Sequence, residues 1–395
     1  MVATFTDGLP ALLDQVYDPM IDIRHDLHEH PELSFAEFRT SQVIRERLVA
    51  LGWSLADCPT PTGAVATLAG QRPGRRVMVR ADIDALPVHE ERTFEYRSRN
   101  DGVMHACGHD VHTAGLLGVA DLLARRREDL AGEFTLVFQP AEESLGGAKA
   151  MIAGGLLRDH PVDFVIGAHV TSLAPVGFVG TRGGIIMSEA SALTVHIAGK
   201  GGHGAMASVD GNVVLAVSAL APRLGEVVAG LSYEGTDCAC SAGVLAAGTA
   251  NNVVPRHALL RGTLRTFTRD QQREAIERLR ALLGELDTAF GVTSTLELGE
   301  HTRAVSNDDQ VARRVIGSAG AVVGAANVIN FAPVSPSDDV SEFLVQVPGC
   351  YMFIGGALAD GTSGMHHSPD FAVADESCRV TAGVLAASAV DLAQS

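Results

Sequence analysis

At 395 residues the chain is longer than a single hydrophobic core usually supports, so two domains are expected. Hydrophobic residues at 46% and charged ones at 19%, with abundant Gly and Ala, exclude a disordered or fibrous chain and suit a soluble α/β protein. A formal net charge of -17, with no basic cluster beyond residues 125–127, argues against nucleic acid and anionic lipid as partners. The first residues lack a charged segment followed by an apolar core, and no apolar run is long and uncharged enough to span a bilayer. A cytoplasmic protein is expected.

In chain order, TSQVIRERLVALGW places Val43, Ile44, Leu48 and Leu51 at helical spacing, and Gly52 follows as a stop. RRVMVRADIDALPV reads as a strand ending in acidic residues, and VHTAGLLGVADLLARRR reads as a helix. GEFTLVFQPAEES is a second strand with Glu142 and Glu143 at its end, and GGAKAMIAGGLL is the helix behind it. DFVIGAHV is a third, expected to end at His169. Strands separated by helices predict a parallel sheet, with ligands bound beyond the carboxyl ends of its strands. Asp82, Asp84, Glu142, Glu143 and His169 all fall there.

From about Gly184 the pattern changes. ALTVHIAGKGGHGAMA alternates like a half-exposed strand, and NVVLAVSALAPRLGEVV reads as a helix. CACSAGVLAAG and HALLRGTLRTF follow as antiparallel strands, then the helical QQREAIERLRALLGELDTAF and a last strand, STLELGE. This βαββαβ order predicts a ferredoxin-like α+β domain, residues 184–302, inserted into an α/β domain formed by residues 1–183 and 303–395. Near the C-terminus PGCYMFIGG is a strand, MHHSPDF a loop and DESCRVTAGVLAASAVDLA a helix.

Residues 104–115, MHACGHDVHTAG, hold one cysteine, three histidines and an aspartate. Cys107 and His109 flank one glycine at the turn into a helix, while Glu142, Glu143, His169, His366 and His367 come from three other segments. Thiolate, imidazole and carboxylate together are the donors that zinc or a related divalent metal accepts. Asp82, Asp84 and Asp110 either orient a ligand histidine from behind or make ordinary capping and ion-pair contacts. His112 is assigned a structural place, and His25, His28 and His30 pack and hydrogen-bond on one helical segment. Six cysteines in so long a chain do not make a disulfide scaffold, and Cys238 and Cys240, alternating on one strand face, read as small core residues rather than a redox pair. A thiol hydrolase built on Cys107 is a competing reading, as is a metal-loaded binding protein without turnover.

MHACGHDVHTAG, FQPAEES, GAHV, GKGGHGAMA, NVVP, GTLRTF and MHHSPDF, in that order, resemble the amidohydrolase branch of the dinuclear metallopeptidases that includes aminoacylases and carboxypeptidases. The resemblance begins at RHDLHEHPELSFAEFRTS and covers almost the whole chain. It implies a metal-dependent amidohydrolase for N-acyl amino acids, with a dipeptidase or aminobenzoyl-glutamate hydrolase as the runner-up. It also implies two divalent ions per subunit, zinc first and manganese, cobalt or nickel as alternatives, held by Cys107, His109, Glu143, His169 and His367. Glu142 is then the general base, and a homodimer forms through the inserted lid domain. His203 and Asn252 match positions that approach the substrate carbonyl, His203 from the partner subunit. Arg265 either clamps a substrate carboxylate or pairs with a lid acid. The chain departs from the family pattern at Ala207 and Ser208, and at Ser337, Asp338, Asp339 and Val340, which leaves the acyl and amino acid preferences outside what the resemblance implies.

Overall fold

A computed structural model describes residues 5–395. They fall into two compact units. One runs to Gly184 and resumes over Ser306–Phe331 and Asp339–Ser395, and the other takes Ile185–Val305 and Ala332–Asp338. The segment Ala332–Asp338 thus sits apart from residues 303–395, with which the order of strands and helices groups it. Its own hydrogen bonds explain the placement. Val334 pairs with Met187 across an isolated bridge, and the Ser188 hydroxyl donates to Ser335 O at 2.5 Å.

The first unit is built on an eight-stranded sheet in the order Ser54–Ala56, Ala64–Ala69, Ala131–Gln139, Arg72–Asp82, Phe164–Pro175, Gly349–Ala357, Val179–Gly180, Val328–Ile329. The four central strands are mutually parallel, but the strands outside them include antiparallel pairs, so the sheet is mixed rather than wholly parallel. The central strands are buried on both faces. Val77, Val79, Phe134, Leu136, Ile166 and Met352 are all fully enclosed, as near-continuous apolar runs in a covered sheet should be.

The helix His109–Arg125 is buried almost throughout, and Glu376–Ala393 is nearly as enclosed, the small residues of both allowing close approach. Where Gly115 lies, an added Cβ would come within 2.7 Å of the Thr381 methyl. The helix Phe38–Ala50 ends before Gly52, whose φ of 80° supplies the left-handed stop that its position implies. The expected helix behind the second strand is two pieces, Gly147–Ala153 and Leu156–Asp159, because the glycine pair between them breaks the run and Gly155 adopts φ 107°. The helix Asp309–Val323 lies outside the elements expected from sequence. The Asp308 side chain caps it, and Val311, Val315 and Ala319 are buried at helical spacing.

The second unit has an antiparallel sheet in the order Ala239–Ala247, His257–Thr266, Glu189–Ala198, Thr293–Thr302, covered by the helices Val213–Leu220, Leu224–Val228 and Arg269–Phe290. With helices joining first to second and third to fourth strand, this is the ferredoxin-like arrangement. Leu193, Val195 and Ile197 point into its core while His196 and Ala198 are exposed, the alternation a one-sided sheet requires. Arg269–Phe290 starts with a Thr268/Gln271 capping box and ends at a left-handed Gly291. Cys238 belongs to this core and Cys240 packs against it, and all six cysteines are free thiols. Among the described residues, no helix is long and apolar enough to cross a membrane.

Candidate metal centre

The centre lies in the first unit, at the carboxyl ends of the parallel strands. Gly108, at φ 86°, lets the chain turn sharply between Cys107 and the first helical residue, His109. The strand Phe164–Pro175 runs past His169 instead of ending there. Its pairing with Arg72–Asp82 stops at Gly167, so beyond that point it is hydrogen-bonded only on the side of Gly349–Ala357, and His169 stands where the sheet opens.

Cys107 Sγ is 3.4 Å from His169 Nε2 and 3.8 Å from His366 Nδ1. Glu143 Oε1 is 3.9 Å from His109 Nε2 and 3.5 Å from His367 Nε2. Within 4.8 Å of one another lie donor atoms of three overlapping groups: Cys107, His109 and His169; Cys107, Glu143 and His367; His109, Glu142 and Glu143. Overlapping triads that share Cys107, His109 and Glu143 give more donors than a single tetrahedral ion uses.

The side chains fit a cation. His109 Nε2 and Glu143 Oε1 are buried without a hydrogen bond, an arrangement that is costly unless something else satisfies them. Burial, then the Glu143, Glu142 and Asp82 carboxylates, hold the Cys107 thiol well above its usual range. Burial pushes Glu143 up to about 7 although His109 pulls it down. Burial and the neighbouring His112 and His366 hold His169 well below the usual imidazole range. A thiol nucleophile needs the opposite, a lowered thiol beside a protonated base, so these surroundings disfavour the Cys107 hydrolase reading. Divalent charge placed among the same donors would reverse the directions at Cys107 and Glu143 and keep His169 neutral, the form that binds a metal.

The neighbours fix tautomers. His169 Nδ1 donates to Val170 O at 2.7 Å, leaving Nε2 as the free donor atom, and Val170 N–H donates to His112 Nε2 at 2.8 Å. His112 in turn gives its Nδ1 proton to Asp82 at 2.5 Å, which accounts for it as a structural residue. Asp84 lies 3.3 Å from His109 Nδ1 and accepts the backbone N–H groups of both Glu142 and Glu143, at 3.0 and 3.1 Å. Asp82 also takes a hydrogen bond from the buried Arg80, which spans to Asp339. Asp110 is turned away from the donors and pairs with Arg24 and His28, at 3.2 and 3.0 Å. His25 meets Asp375, and His30 contacts the Asp26 carbonyl, so this histidine group does make hydrogen bonds.

His366 is a contributor that residue type alone did not separate from its neighbour. It is largely buried, accepts Ser172 N–H on Nε2 at 3.3 Å and turns Nδ1 to Cys107, whereas His367 has φ 65° and an exposed side chain. Asp339 is another. It binds Arg80, Gln139 and the backbone of Ala148 from a fully buried position, so this member of the departing segment anchors the fold.

In the second unit, His203 and Asn252 adjoin. Gly202–His203 pairs with Val253–Val254, and Gly204 N–H donates to Asn252 O at 2.7 Å. His203 Nδ1 accepts from Ala205 N–H at 3.1 Å, which in the neutral ring puts the proton on Nε2. Ala207 and Ser208 are exposed nearby in sequence. Arg265 is half-buried, donates to Ser335 O and Ser337 Oγ at 3.2 and 3.1 Å, and has no acidic partner among the described residues.

Comparison with known proteins identifies the family. An N-acyl-L-amino acid amidohydrolase from Geobacillus stearothermophilus is 39% identical over 77% of this chain and 82% of that protein. A thermostable carboxypeptidase from Saccharolobus solfataricus is 34% identical over 86% of each. The crystal structure of a Bacillus subtilis dinuclear metal-binding peptidase covers 96% of this chain and 99% of its own, with a TM-score of 0.82 and 29% identity. The family model described as Peptidase family M20/M25/M40 matches residues 78–391, which include every donor of the centre, and the chain belongs to that family.

Proposed function

We propose that this protein is a metal-dependent amidohydrolase that cleaves N-acyl amino acids into a carboxylate and a free amino acid. The observation that carries the reading is the Glu142–Glu143 pair: both carboxylates reach His109, but only Glu143 also joins the Cys107 and His367 donors. Cys107, His109, Glu143, His169 and His367 would hold two divalent ions, with zinc, manganese, cobalt or nickel suited to these donors. When bound, the ions supply positive charge for an anionic substrate and lower the pKa of water to about 7.

Glu142, 6% exposed beside the donors, is the base. It takes a proton as a water oxygen adds to the acyl carbon, and returns it to the amide nitrogen as the carbon–nitrogen bond breaks. The Nε2 proton of His203 and the side chain of Asn252 serve the developing oxyanion, His203 from the partner subunit of a homodimer formed through the second unit acting as a lid. Arg265, whose side chain donates to Ser335 O and Ser337 Oγ, takes the substrate carboxylate. The enzyme works in the cytoplasm on small acylated amino acids, without nucleic acid or membrane partners. A second reading, hydrolysis of peptide bonds by the same centre, is favoured by the similarity to the thermostable carboxypeptidase.

The test is chelation followed by reconstitution. Extended chelation should abolish hydrolysis of N-acetyl amino acids, and zinc, manganese or cobalt should restore it. Glu142→Gln should lower turnover about a hundredfold or more while metal content holds. Full activity in verified metal-free protein overturns the reading.

A further inference from the structure

The Glu142–Glu143 pair poses a geometric problem. Consecutive residues of an extended strand send their side chains to opposite faces, yet here both carboxylates place an oxygen within 4.8 Å of His109. The chain solves it with a tight turn. After the strand Ala131–Gln139 and Pro140, Ala141 adopts φ 55°, and Leu145 on the other side of the pair adopts φ 54°. Neither is glycine, and the left-handed region disfavours an ordinary L-residue about tenfold in population.

Ala141 O accepts from Gly146, Gly147 and Ser144 within the turn, and its N–H is held from a distant part of the chain. Its N–H donates to Glu37 Oε1 at 2.9 Å. The same oxygen accepts the N–H of Phe35 at 3.0 Å, another left-handed non-glycine residue at φ 60°. The other oxygen accepts the Thr62 hydroxyl at 2.7 Å. Glu37 is wholly buried, and two of these contacts are donated by backbone N–H groups.

We infer that Glu37 is a positioning residue for hydrolysis: its buried carboxylate clamps Ala141 in the left-handed conformation that presents Glu142 and Glu143 together. The inference rests on the roles given above to those two residues. A glutamine at position 37 satisfies the same partners, because its carbonyl accepts both N–H groups and its amide donates to the Thr62 oxygen. A methionine fills the space and accepts nothing.

The experiment compares wild type, Glu37→Gln, Glu37→Met, Ala141→Gly and the double variant Glu37→Met/Ala141→Gly. Turnover of an N-acetyl amino acid, cobalt affinity by chelator competition, and melting temperature are measured for each. Glu37→Gln should keep most of kcat. Glu37→Met should lose kcat about 10–100-fold, with KM within a few-fold, and should bind cobalt more weakly because Glu143 shares the turn. Glycine populates the left-handed region without penalty, so Ala141→Gly should recover about five- to tenfold of that loss in the double variant. A folded Glu37→Met protein with wild-type kcat and cobalt affinity overturns the inference, and so does a loss that Ala141→Gly leaves untouched. If Glu37→Met does not fold, Ala141→Val asks the same question. It should lower kcat and cobalt affinity, and unchanged values overturn the clamp. If cobalt-loaded wild type hydrolyses no amide, the proposed function fails, and the cobalt affinities decide the clamp by themselves.

Discussion

Replacing Gly108 by alanine tests how tightly the turn between Cys107 and His109 is built. Gly108 has φ 86°, and a Cβ there would lie 2.4 Å from Val170 Cγ1 and 3.5 Å from Phe371 Cζ. Val170 has no room to yield: it is fully buried, its N–H donates to His112, and its carbonyl accepts from His169. The left-handed conformation alone should cost about 1–2 kcal/mol, and overpacking a closed site about 1–3 kcal/mol more. A combined loss of about 2–5 kcal/mol corresponds to roughly 5–15 °C in melting temperature for a unit of this size. Gly102→Ala is the control, because Gly102 has φ 76° with nothing within 4 Å of where a Cβ would stand, and so pays the conformational cost alone. Calorimetry and metal analysis on both variants would show Gly108→Ala losing clearly more stability and, through His169, some of its metal. Equal losses in the two variants would refute the reasoning.

Arg80→Met should cost about 3–5 kcal/mol in urea unfolding, because the carboxylates of Asp82 and Asp339 stay buried without their cation; a loss below about 1 kcal/mol contradicts this. His28 gives a pH dependence. Burial lowers its pKa, but Asp110 and Glu90 outweigh that and raise it from 6.5 to about 9. A raised folded pKa means the stabilisation, about 3 kcal/mol, is fully present below pH 6.5 and lost as pH rises through about 9. His28→Gln should therefore flatten the fall in stability between those limits, and an unchanged slope would contradict it. Finally, mixing Glu142→Gln and His203→Ala chains should restore roughly a quarter of wild-type activity if each site takes His203 from its partner, since half the dimers are mixed and each has one intact site. Confirmed heterodimers without activity would return His203 to a role within its own chain.

Much of this protein is legible along the chain because the signals are local. Apolar periodicity marks the helices Phe38–Ala50 and Arg269–Phe290, alternation marks Glu189–Ala198, and the density of donor side chains between Met104 and His112 marks the centre. The strand–helix order likewise changes character near Gly184, and each order permits few ways of covering a sheet. What the tertiary structure decided are relations between residues far apart in sequence. Asp82, Asp84 and Asp110 look alike as acidic residues near histidines, yet Asp84 braces the Glu142–Glu143 turn, Asp82 holds His112, and Asp110 faces Arg24. The segment Ala332–Asp338 joins the second unit through bonds to Met187 and Arg265 that no periodicity encodes. The left-handed Ala141 is invisible in its own sequence, because alanine has no local preference for that conformation. Its N–H is held by a carboxylate 104 residues away, and only the folded chain brings the two together.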